Sequence, residues 1–91
     1  MKTLILDGAL IESMADVHTR FAEELDFPEW YGRNLDALYD SLTDVAEDVT
    51  VQIVNASALE AALDWRYQRL LLVLRDAAEE NPHILLADEE S

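Results

Sequence analysis

The chain has 91 residues, enough for about one small domain with one core. Apolar residues make up 51% of it, so a core can be built, and the absence of Cys excludes disulfides, thiolate metal sites and thiol redox chemistry. Twenty Asp and Glu against six Lys and Arg give a formal net charge of -14, which repels nucleic acid and speeds encounter with a cationic protein, although acidity that only keeps a protein soluble is the plainer alternative.

Met1-Lys2-Thr3-Leu4-Ile5-Leu6 couples a positive charge to an apolar run, but Asp7 ends that run far short of a signal-peptide h-region. Residues 2–6 therefore read as a buried strand, with Asp7-Gly8 as the turn after it. No apolar stretch approaches the roughly 20 residues that span a bilayer, and with no Cys the expected compartment is the cytoplasm. Ser13 offers an N-cap, with Asp16 three residues on as a variant capping box, ahead of Val17, Phe21 and Leu25 at helical spacing. This predicts a first helix over about 13–25, ended by Pro28. Glu29-Trp30-Tyr31-Gly32-Arg33 forms a loop, and Asn34 caps a second helix of about 35–46.

Thr50-Val51-Gln52-Ile53-Val54 alternates and is β-branched, which predicts a second strand. Asn55 or Ser57 then caps an Ala/Leu-rich third helix. A fourth helix over about 66–80 turns Tyr67, Leu70, Leu71, Val73, Leu74, Ala77 and Ala78 inward, and Asn81-Pro82 stops it. His83 to Ala87 is a third strand, and 88–91 is expected to be a frayed acidic tail. Strands separated by helices call for parallel pairing, because parallel neighbours need crossover connections. The expected fold is α/β: a single small domain over 1–91, with a three-stranded parallel sheet packed by about four helices.

Projected at 100° per residue, the second helix groups Leu35, Leu38, Leu42, Val45 and Ala46 on one face and Asp36, Asp40, Thr43 and Asp44 on another, with Tyr39 on the border. No Lys, Arg or His stands between Asn34 and Trp65. Asp36 benefits from the helix dipole in the first turn, about 0.3–1 kcal/mol, whereas Asp40 and Asp44 add like-charge i,i+4 pairs that cost about 0.2–0.5 kcal/mol each. The fourth helix carries Asp76, Glu79 and Glu80 at the end where the dipole favours cations, with Leu72 pointing outward beside Asp76. These placements are costs to the fold and suit a contact surface, while a charged stripe that is simply solvated explains them without function. Trp30 and Tyr31, in a loop between Pro28 and Gly32, are expected to divide, one ring packed inward and the other available to a partner.

The run Pro28-Glu29-Trp30-Tyr31-Gly32-Arg33-Asn34-Leu35-Asp36-Ala37-Leu38-Tyr39-Asp40-Ser41-Leu42-Thr43 closely resembles the central signature of the barstar family, inhibitors of the bacterial ribonuclease barnase. A weaker likeness extends through the helix of His18 to Val73-Leu74-Arg75-Asp76-Ala77 and the last strand. The resemblance implies a parallel three-stranded sheet packed by helices, with the signature loop and second helix plugging a nuclease's active-site cleft and carboxylates standing in for substrate phosphates. Carried over position by position, it implies partner contacts at Trp30, Gly32, Asn34, Leu35, Asp36, Tyr39, Asp40 and Thr43, with Asp44 on the same face and Asp76 and Glu80 from the fourth helix. The partner implied is a basic, extracellular-type bacterial ribonuclease in a one-to-one complex, the free inhibitor being a monomer without cofactor, metal, nucleic acid or membrane.

Departures from the family's best-known member bear on partner choice more than on fold. Tyr39 stands where that member has Trp, Val45 where it has an aromatic residue, Asp44 where it has Gly, Asp76 where it has Glu, and Ser41 where it has Cys. Two other readings remain open on sequence. An enzyme using Asp36, Asp40 and Asp44 lacks a phosphate loop, an EF-hand spacing or the 6–8 oxygens of a Ca²⁺ cage, and His18 and His83 stand alone. An immunity protein for a DNase or another basic toxin is separated from a ribonuclease inhibitor by the signature alone.

Overall fold

The computed structural model describes residues 2–87, so the expected tail at 88–91 lies outside the described residues. The elements in order are β1 (Lys2–Asp7), α1 (Met14–Leu25), α2 (Leu35–Thr43), β2 (Val49–Val54), α3 (Ala56–Leu63), α4 (Arg66–Glu80) and β3 (Ile84–Ala87). The strands form one parallel sheet in the order β1-β2-β3, with Leu4 opposite Val51 and Val51 opposite Leu86. Strands laid down in chain order with crossovers of one hand put their helices on one face. Burial agrees: Leu4, Leu6, Val49, Val51, Ile53 and Ile84 are covered, while Ile5 and Leu85, which point the other way, are exposed.

The helices close over that face with Val17 and Phe21 from α1, Leu38 and Leu42 from α2, Leu59 and Leu63 from α3, and Tyr67, Leu70, Leu71, Leu74 and Ala77 from α4. Each large side chain so buried contributes about 1.5–3 kcal/mol. Val73 and Ala78, expected in the core, are partly buried at its edge, and Leu72 points to solvent. Among the described residues no helix is long and apolar enough to cross a membrane.

The expected fold class stands, and the differences are local. Ser13 occupies the N-cap of α1 but its side chain caps nothing; the Asp16 carboxylate instead accepts the Glu12 N–H at 2.8 Å. The helix ends at Leu25, three residues before Pro28, with the C-cap Asp26 in the left-handed region at φ 56° and its N–H on the Ala22 carbonyl. Asn55, expected to cap α3, is held at φ 53° and gives its amide to Asp7 Oδ1 at 2.7 Å, joining the end of β1 to the start of α3. Gly8 sits at the same junction, where any Cβ would collide with the Asn55 carbonyl and the Leu59 backbone.

The second helix stops at Thr43 rather than at 46, and Ala46 is exposed. The Asp44 and Val45 N–H groups reach back to Ser41 and Leu42 carbonyls at 3.2 Å, tightening the last turn. The Leu42 and Val45 carbonyls then each accept from Asn81 Nδ2 at 2.9 Å, while Asn81 Oδ1 accepts the His83 N–H at 2.9 Å. Asn81 is 5% exposed; its backbone N–H closes α4 on the Ala77 carbonyl, while its side chain ends α2 and starts the run into β3. Two helix ends are closed by one buried residue, one through its backbone and the other through its side chain.

Candidate functional site

The loop between α1 and α2 is positioned from below by aromatic packing. Tyr31 is buried, its ring 4.8 Å from that of Phe27 between centroids, and its hydroxyl lies 2.6 Å from His18 Nδ1. Burial lowers the His18 pKa, with the Arg33 charge adding to the effect, and burial pushes the Tyr31 hydroxyl up to about 12 against the opposing pull of Arg33. At neutral pH this bond therefore joins a neutral imidazole to a protonated phenol, with the imidazole tautomer setting which of the two donates. Trp30, its neighbour, is 85% exposed, which is the division expected of the two rings.

Arg33 closes the loop from the other side. Its backbone is left-handed at φ 54°, an unfavourable region for a residue with a Cβ, and its guanidinium donates to the Ala15 carbonyl at 2.9 Å and to Thr19 Oγ1 at 2.8 Å on α1. Gly32 does not take the positive φ; a Cβ there would stand 3.3 Å from Ala37 Cβ and from Asn34 Nδ2, so glycine serves close approach. Asn34 Oδ1 accepts the Ala37 N–H at 2.8 Å, the capping bond expected of it. The loop and the first turn of α2 are thus fixed as one unit.

From that start, α2 turns Leu38 and Leu42 into the core and leaves Asp36, Asp40 and the C-cap residue Asp44 exposed. Asp44 is right-handed at φ -91°, so the position does not demand glycine. Thr43 is half-buried and its hydroxyl donates to the Asp40 carbonyl at 2.9 Å. Tyr39 is half-buried where α2 meets α4. Partial burial raises its hydroxyl pKa first, and the charges of Glu80, Asp76 and Asp40 raise it further. The packing of α2 on α4 thereby brings Asp40, Asp76 and Glu80, from two helices, around one phenol. None of these three, nor Asp36 or Asp44, makes an ion pair among the described residues, whereas Glu47 pairs with Lys2 at 3.4 Å and Glu24 with Arg20 at 2.6 Å, and Asp48 Oδ1 meets His83 Nδ1 at 2.9 Å.

At the N-terminal end of α2, Asn34, Leu35 and Asp36 line an open cleft of about 380 Å3 facing His18 and the first turn of α4. The expected contact residues therefore divide into the exposed Trp30 beside Gly32, the cleft group Asn34, Leu35 and Asp36, and the group of Tyr39, Asp40, Thr43, Asp44, Asp76 and Glu80. Among the described residues no three His, Cys, Asp or Glu side chains are grouped as metal ligands. Sequence reasoning missed Arg33 and Asn81, which hold the site without belonging to its face. An arginine directly before a helix cap and a polar residue before a proline were the available signals.

A family profile described as Barstar (barnase inhibitor) matches residues 1–89. The Bacillus subtilis (strain 168) protein that bears the name "Putative ribonuclease inhibitor YrdF" is 36% identical over 81 residues, which cover 88% of this chain and 89% of that protein.

Proposed function

The chain belongs to the barstar family, and from that premise we propose that it is an inhibitor of a basic ribonuclease, seating its 29–33 loop and the acidic side of α2 in the enzyme's active-site cleft. The observation that carries this reading is the grouping of Asp40, Asp76 and Glu80 about Tyr39, none of them in an ion pair among the described residues. Carboxylates left in that state cost folding energy and gain it back only against external Arg or Lys, the groups a ribonuclease uses to hold phosphates. Trp30 supplies an exposed aromatic anchor at the rim, and Gly32, Asn34, Leu35, Asp36, Thr43 and Asp44 complete the surface.

The protein acts by occlusion and has no catalysis of its own. It works in the cytoplasm as a monomer that forms a one-to-one complex and protects its cell from a toxic nuclease. The net charge of -14 steers the encounter.

Steady-state cleavage of a dinucleotide by basic microbial ribonucleases, barnase among them, tests this. Competitive inhibition is the expected result, with an association rate that falls steeply as salt rises. Purely noncompetitive inhibition, or a complex that still binds a substrate analogue, overturns the occlusion.

A further inference from the structure

The acidic face ends at a small surface of opposite sign. Arg66 and Arg69 lie in the first turn of α4, where the helix dipole disfavours cations, and no acidic residue accompanies them there. Both guanidiniums gather over one ring, Arg66 at 4.5 Å and Arg69 at 5.2 Å from the centroid of Trp65, which is 59% exposed. On a chain with 20 acidic side chains, neither arginine has a carboxylate within ion-pair distance among the described residues. Lys2, Arg20 and Arg33, by contrast, are each taken up by a carboxylate, a carbonyl or a hydroxyl of the chain. Asp36 lines the same cleft as the two arginines and still does not pair with them.

We propose that Trp65, Arg66 and Arg69 are a second contact of the inhibitory surface, receiving an acidic side chain from the rim of the ribonuclease's cleft. This rests on the function proposed above, because the cleft that the arginines border is also lined by Asn34, Leu35 and Asp36. A planar guanidinium already ordered against an indole presents its N–H fork to a carboxylate with little further loss of freedom. RNA is disfavoured as the occupant, since its phosphates would approach a chain of charge -14 past Asp36. The pair of signs gives register: carboxylates of α2 and α4 meet the nuclease's cations, and the arginines accept only a nuclease with an acid at the matching place.

The double substitution Arg66→Gln and Arg69→Gln gives a sharp test, because it makes the inhibitor still more negative. Toward a basic enzyme the change in overall charge speeds association and tightens binding. Contact with an acidic side chain predicts the reverse, binding weaker by about tenfold or more through faster dissociation. Kd would be measured by kinetic titration against a set of basic microbial ribonucleases that includes barnase, with circular dichroism confirming the fold and Asp40→Ala run in parallel. Weakened binding by both variants supports the contact. Unchanged or tighter binding of the arginine variant, with Asp40→Ala still weakened, overturns the contact and leaves the proposed function standing. Unchanged binding by Asp40→Ala, or a parent that binds none of the enzymes, removes the inhibitory face and the contact with it. Quenching of Trp65 emission by a single-stranded RNA oligomer, in a protein carrying Trp30→Phe, would assign the cluster to nucleic acid and also overturn the contact.

Discussion

Replacing Asp40 by Ala separates what the site costs from what it does. Asp40 lies in the last turn of α2, four residues after Asp36 and four before the C-cap Asp44, with no basic residue in that turn. Its removal relieves two like-charge neighbours at about 0.2–0.5 kcal/mol each and an anion at the negative end of the helix dipole at about 0.3–1 kcal/mol. Ala is also the better helix former by a few tenths of a kcal/mol. The Thr43 hydroxyl bond is unaffected, because it goes to the Asp40 backbone carbonyl. The free protein should gain about 1 kcal/mol, a rise in Tm of about 4–8 °C for a domain of this size. Binding should move the other way by about 2–5 kcal/mol, or 30-fold to several thousand-fold in Kd, since nuclease cations are left buried and unpaired; that range draws in part on the barnase–barstar complex, the reference pair of this family, and is carried over to this chain by likeness. Urea melts and titration against the inhibited ribonuclease read the two effects separately. A clearly destabilised variant with unchanged affinity would refute the reasoning and make Asp40 a structural residue.

Asn81→Asp, nearly isosteric, should lower stability by about 2–4 kcal/mol in urea melts, because it removes donors to the Leu42 and Val45 carbonyls and sets an anion against them; a midpoint equal to the parent's would show that α2 ends without help from Asn81. The His18 pKa is depressed in the fold, so the stability linked to its neutral form is fully present above the unfolded value of about 6.5 and is lost as pH falls through the folded value. The difference in urea midpoint between the parent and His18→Gln should therefore shrink as pH drops from 7.5 through 6 and below, in steps of roughly half a unit, and a difference that grows on acidification contradicts the neutral-imidazole assignment. In a protein with Trp30→Phe, iodide should quench Trp65 more strongly than caesium does, despite the net charge of -14, because two guanidiniums lie over the ring; preference for caesium would mean the arginines do not stay there. The protein alone, with or without Mg²⁺, should leave RNA intact in a gel assay, and cleavage that tracks the purified protein and vanishes on Asp40→Asn would reverse the reading as a non-enzyme.

What the sequence made legible was whatever depended on spacing. Alternation located β2, helical spacing placed Leu38 and Leu42 inward and the Asp residues outward, and Asn34 capped α2 as its position implied. What it hid were bonds between distant parts of the chain. Asn55 looked like a cap and serves as a tie to Asp7, 48 residues away, and Asn81 looked like a stop signal and also ends a helix that closed 38 residues earlier. Nothing in a local window distinguishes an amide that bonds its own turn from one that bonds another element. The nearness of Asp76 and Glu80 to Tyr39 and Asp40 was legible only through the family likeness, because α2 and α4 meet through tertiary packing.

Several of the places where this chain departs from good folding practice lie along one surface. Arg33 sits in a left-handed backbone, Asp40 in the last turn of α2, Asp76 and Glu80 toward the end of α4, and Arg66 and Arg69 at the beginning of α4. Each is a small local cost, and a sequence shaped by stability alone has cheap remedies for all of them: Gly or Asn at 33, Lys at 40 and 80, Glu at 66. Their collection on the side formed by the 29–33 loop, α2 and α4 is what the proposed function requires of a surface that meets a partner's charges. The supports beneath it point the same way. Arg33 pins the loop to α1, Tyr31 and His18 anchor it to the core, and Asn81 fixes the far end of α2, so the charged face is held before any partner arrives. A face ordered in advance loses little entropy on binding, and under the proposed function charges that are misplaced in the free molecule become correctly placed in the complex.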